Sequence, residues 1–123
     1  MPTDPQPVTL AQVVHRAVVA VDPDGHAGLD DLLVRFEDDD EPLGSTGAEI
    51  AAQRIAEEAG KLDPQAEDPA VQLAAAVATY LAYRRDELDE EPQRLLELAA
   101  RAEFDAHPPA GVEDLLAERG VQL

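Results

Sequence analysis

The sequence contains no cysteine. That absence excludes a disulfide framework, a thiolate metal site and a cysteine nucleophile. Serine occurs once, at Ser45, inside a stretch that reads as a helix cap, so a serine nucleophile has little to draw on. Tryptophan is missing, and the aromatics are only Phe36, Tyr80, Tyr83 and Phe104. Positive charge is scarce too. Nine basic residues stand against 27 acidic ones, a net of −18, and Lys61 is the sole lysine. A surface of that sign repels phosphate backbones, so no direct nucleic-acid binding is expected. A helix-turn-helix built from the second and third helices described below fails on the same count. An RNA-cleaving pair from Arg101 and His107 is disfavoured for that reason as well.

His15, His26 and His107 form no His-x-x-x-His pair. There is no Gly-rich phosphate loop, Gly-x-Ser-x-Gly elbow or His-Glu-x-x-His. The apolar runs fall short of the ~20 residues of a membrane span. The opening MPTDPQPV has neither a basic nor an apolar signal region, so a cytoplasmic location is the default expectation. Together these gaps predict a protein without cofactor that is not an enzyme.

What is abundant is acid and alanine. Alanine supplies 22 of the 123 residues. An acid-rich, lysine-poor, alanine-rich composition suits a salty cytoplasm or a high-GC genome. Concentrated salt screens carboxylate repulsion over a few ångströms. In dilute buffer the same charge opposes compaction. The length is that of one domain. Pro2, Pro5 and Pro7 mark residues 1–8 as a flexible tail, leaving 9–123 as a single helical domain.

One stretch organises the rest. From Pro69 to Tyr83 there is no charged side chain. Asp68 is a good N-cap and Pro69 suits the first helical position. The alanines that follow favour helix. A helix apolar nearly all round requires burial on every side. The expected fold is therefore all-α, a compact bundle of five to six short helices around a central apolar helix at about 69–87.

The outer helices follow from spacing. Thr9 and Gln12 form a capping box, and Leu10, Val13, Val14, Ala17, Val18 and Val21 share one helical face. The valines make a strand over 17–21 the competing reading. A second helix is predicted from Gly28 to Asp38 on Leu29, Leu32, Leu33 and Phe36. Four consecutive acids, Asp38 to Glu41, and Pro42 end it. A third is predicted from a Thr46–Glu49 capping box to Ala59, closed by Gly60 and striped by Ala48, Ala52, Ile55, Ala59 and Leu62. A fifth starts at Pro92 with a face of Leu95, Leu98, Ala99 and Ala102, with Leu96 and Phe104 beside it, and His107-Pro108-Pro109 ends it. A last runs from Val112 to about Arg119, closed by Gly120.

Three constellations could carry chemistry. Tyr80, Tyr83, Arg84 and Arg85 place two aromatics one turn apart beside two guanidiniums, a set able to stack on a partner or grip an anion. The plainer reading puts the tyrosines at the core rim and pairs the arginines with nearby carboxylates. Asp22, Asp24 and Asp31 fall at positions 3, 5 and 12 of a calcium loop whose first ligand would be Ala20, a poor match. Glu103 and His107 lie one turn apart, but a metal needs three or four ligands. The expectation is a non-catalytic interaction or adaptor module, bound to a protein partner or to itself as a homodimer, since alanine stripes leave each helix little bulk. The alternatives are an acidic nucleic-acid mimic that blocks basic surfaces, and a weak metal-binding or small enzymatic domain.

Overall fold

Thr9 opens the first helix as its spacing to Gln12 predicts. Its Oγ1 accepts from the Gln12 N–H at 3.2 Å, and the Thr9 N–H donates to Gln12 Oε1 at 3.0 Å. The box satisfies N–H groups that a first turn leaves unpaired. The computed structural model describes residues 8–25, 28–37, 47–65, 67–84, 90–105 and 107–122, and over these the chain is helical without a strand. The helices are α1 (Leu10–Val21), α2 (Asp30–Phe36), α3 (Ala48–Leu62), α4 (Pro69–Tyr83), α5 (Pro92–Phe104) and α6 (Ala110–Glu118). Among the described residues no helix is long and apolar enough to cross a membrane. The expected tail at 1–7, His26, the acid run from Asp38, Thr46, Arg85 and the rest of 85–89 lie outside them. Val8, at the edge of the expected tail, packs partly against the core.

The two helices without an acidic residue, α1 and α4, form the centre. They pack against each other more extensively than any other pair. Every residue of the expected α1 face is buried, so tertiary packing holds the valines in a helix and no strand forms over 17–21. In α4, nine of fifteen residues are buried, which leaves the helix enclosed on most of its circumference. Asp68 Oδ1 caps it, accepting from the N–H groups of Ala70 at 3.0 Å and Val71 at 3.4 Å. Leu73 and Leu81 are fully enclosed, each worth about 1.5–3 kcal/mol in burial. The helix ends at Tyr83, short of the expected boundary near 87. Arg84 turns out of helical geometry at φ −127°, ψ 61°, with its N–H on the carbonyls of Tyr80 and Leu81.

The acid-bearing helices wrap this pair. α3, α5 and α6 all rest on α4, while α2 bridges α1 and α3. Helix α2 is shorter than expected, spanning Asp30–Phe36, with Leu29, Leu32 and Phe36 buried. Gly47 at φ 91°, not Thr46, is the residue before α3, and no side chain caps that end. At its other end α3 does not stop at Ala59. It runs through Gly60 to Leu62, because Asp63 supplies the stop: its two carboxylate oxygens accept from the N–H groups of Glu67 and Asp68, both at 2.9 Å.

Of its expected face helix α5 buries Leu95 and Ala99, joined by Leu96 beside it and by Ala100. Leu98 is half-buried and Ala102 exposed, so the buried face is turned away from these two. It ends at Asp105, at a positive φ of 57°, before His107 is reached. Helix α6 begins at Ala110, a residue pair earlier than expected, and closes on Gly120 at φ 81°. The N–H of Val121 reaches the Leu116 carbonyl and that of Gly120 the Ala117 carbonyl. That double bond pattern, with buried Val121 against Leu116, is the usual left-handed glycine stop. Two of the scarce arginines serve backbone carbonyls: Arg16 donates to the Glu90 oxygen at 2.6 Å and Arg119 Nε to that of Val21 at 2.7 Å.

Candidate functional site

Small residues on three helices leave a trough beside α4. Tyr80 and Tyr83 mark one end. Tyr80 is half-buried against the core, and Tyr83 is 55 % exposed. With Ala76 and Thr79 of α4, and Ala99, Ala102 and Glu103 of α5, they line a cavity of about 310 Å³. A second cavity of about 280 Å³ continues along α4 past Ala76, Ala75, Gln72 and Val71. Its far wall is Ala56, Ala59 and Gly60 of α3, with Asp63 and Phe104 at the margins. Ala76, Thr79 and Glu103 line both, so the two adjoin as a trough along α4, walled by α5 at the tyrosine end and by α3 and α5 beyond it.

The floor follows a single stripe of the helix. Gln72, Ala75, Thr79 and Tyr83 lie at 0, 3, 7 and 11, and none of them is fully buried. Side chains at that spacing share one face of a helix. This is therefore the one flank of α4 that its neighbours leave partly open. The stripe spans about 16 Å at helical rise, roughly three turns.

Among the described residues no lysine or arginine lines the trough, and the charged groups on it are Asp63 and Glu103. Asp63 is occupied by two backbone N–H groups. Glu103 is exposed and makes no ion pair or hydrogen bond among the described residues. On α5, Arg101 and Arg94 both reach Glu97, at 3.2 and 3.7 Å. On α3, Glu58 accepts from Arg35 at 2.7 Å and Lys61 at 3.2 Å. The Arg35 guanidinium, then the Lys61 ammonium, hold its carboxyl below the ordinary carboxylate range. Arg54 lies 6.0 Å from the centre of the buried Phe36 ring.

The expected cluster is thus brought together in part. Tyr80 and Tyr83 sit on the trough, Arg84 is exposed and lines neither cavity, and Arg85 is outside the described residues. The calcium candidates are separated by role. Asp22 is buried as the C-cap of α1, Asp24 is exposed in the turn that follows, and Asp31 lies in the first turn of α2. Among the described residues no three His, Cys, Asp or Glu side chains gather to hold a metal ion. Arg101 is paired with Glu97, and His107 is exposed beyond the end of α5.

The lining residues Ala59 and Ala102 read from sequence as core positions, and Gly60 as a helix stop. Ala59 and Ala102 fall at core spacing, yet neither is fully buried. An alanine at such a position fills little space, and an unfilled core position is the mark of an open face. Comparison with known protein families, curated proteins and solved structures finds no match for this chain.

Proposed function

We propose that the chain is a non-catalytic protein-interaction module and that the trough along α4 is where a partner segment docks. The observation that carries this is the partly open stripe Gln72–Ala75–Thr79–Tyr83 on a helix otherwise enclosed. A groove three turns long, apolar and walled by small residues, matches the way amphipathic helices are held by helical receptors. Small walls let an incoming backbone approach to the 8–10 Å of ordinary helix packing. The nucleic-acid-mimic reading calls for carboxylates in one regular row. The described ones belong to α2, α3, α5 and α6 and the intervening loops, and the open stripe of α4 favours the docking reading.

The test is a display selection of helical peptides built from Ala, Leu, Gln and Ser against the full chain. The peptides are uncharged, so attraction to the acidic surface cannot select them. Binders should lose affinity tenfold or more, order of magnitude, when Ala102→Trp fills the trough. They should keep it when the exposed Ala117 of α6 is changed to Trp. Binders indifferent to Ala102→Trp, or none at all, would sink the docking site.

A further inference from the structure

The chemistry of the docking segment follows from the charges on the trough, given the docking role proposed above. Both cavities share one ionised side chain, Glu103, and it has no counter-ion among the described residues. Asp63 at the margin has both oxygens on backbone N–H groups. Among the described residues no basic side chain lines either cavity. A carboxylate half-covered by an incoming apolar helix would lose water without gaining a partner, which opposes binding. A lysine or arginine on that helix removes the conflict.

We propose that the occupant is an amphipathic helix from a basic partner, with small apolar residues against α4 and a Lys or Arg seated on Glu103. A second copy of this chain is the poorer occupant, because it brings another −18 toward the same acidic surface. It would also have to commit one of only nine basic residues. The partner's positive field, in contrast, speeds encounter with the acidic surface and weakens with salt.

A double-mutant cycle separates this from the docking role itself. One arm takes an uncharged trough-binding peptide and a version with a single Lys placed toward Glu103. The other takes the full wild-type chain and Glu103→Gln, an exposed substitution that leaves the core untouched. The Lys peptide should bind wild type about threefold to tenfold more tightly than the uncharged one. Glu103→Gln should erase that gain and tighten the uncharged peptide, which no longer strips water from an unpaired carboxylate. The gain should also shrink as salt is raised from about 0.05 to 0.5 M. Equal binding of the two peptides, or a gain that survives Glu103→Gln, overturns the cationic occupant while the effect of Ala102→Trp still stands. Concentration-dependent dimerisation abolished by Ala102→Trp assigns the trough to a second copy and overturns it as well.

Discussion

Gly60 offers a test in which the sign of the result decides. Its place just after the expected end of α3 suggests a left-handed cap, where Ala destabilises by about 1 kcal/mol. In the structure Gly60 is inside α3, and a Cβ built there meets nothing within 4 Å. No packing is gained or lost, so the effect of Gly60→Ala is the helical preference of Ala over Gly alone, about 1 kcal/mol in a helix interior. The helix ends at Leu62, close by. Fraying there reduces the gain to about 0.5–0.7 kcal/mol. At about 2.1 cal/mol/K per residue, that is a rise of roughly 2–3 °C in Tm. Thermal melts by circular dichroism and urea titrations on both proteins measure it. Gly120→Ala is the opposite control, since Gly120 sits at φ 81° and an added Cβ would meet the Gln93 amide at 2.8 Å. A lowered Tm for Gly60→Ala would refute the continuous α3 and return the helix end to Ala59. Because Gly60 also walls the trough, the same methyl group should weaken a docked helix while it stabilises the fold.

Asp68→Ala removes the acceptor for two N–H groups at the start of α4, and unfolding by urea should show a loss of about 1 kcal/mol, mostly restored in Asp68→Asn. Glu58 gives a pH prediction. Its folded-state pKa is depressed, so its contribution is present above the unfolded carboxylate pKa and is lost as pH falls through the folded value. The Tm gap between wild type and Glu58→Gln should therefore be largest near neutral pH and close under acid. A gap that persists in acid would show that the Arg35 and Lys61 contacts are not its source.

The centre of the bundle is legible in residue order because α1 shows itself by the spacing of its apolar face and α4 by its lack of charge. Pro69 to Tyr83 carries one message at every level, whereas the valines of 17–21 leave a strand open until packing decides. The caps at Thr9, Asp68 and Gly120 were legible for the same reason, since each is a short-range device. Boundaries set by a distant or unforeseen partner were not. Gly60 reads as a stop until Asp63 is seen gathering the N–H groups of Glu67 and Asp68. The trough was half legible. Tyr80 and Tyr83 stood out as aromatics in a chain that has few, but Ala56, Ala102 and Glu103 join them only through the packing of α3 and α5 on α4. Alanine spacing cannot tell a buried position from an open one, because the residue is equally at ease in both.

The bond from Arg119 to the Val21 carbonyl fastens the end of the first helix to a residue near the finish of the chain. It closes a loop of 98 residues, and Gln93 holds the same arginine by its own carbonyl. The last helix therefore cannot peel away as a loose appendage: lifting it strips a hydrogen bond from α1, at the opposite extremity of the polypeptide. Amide exchange in the final turn of α1 and throughout α6 would then rise and fall as one cooperative unit, with the two ends of the sequence breathing together.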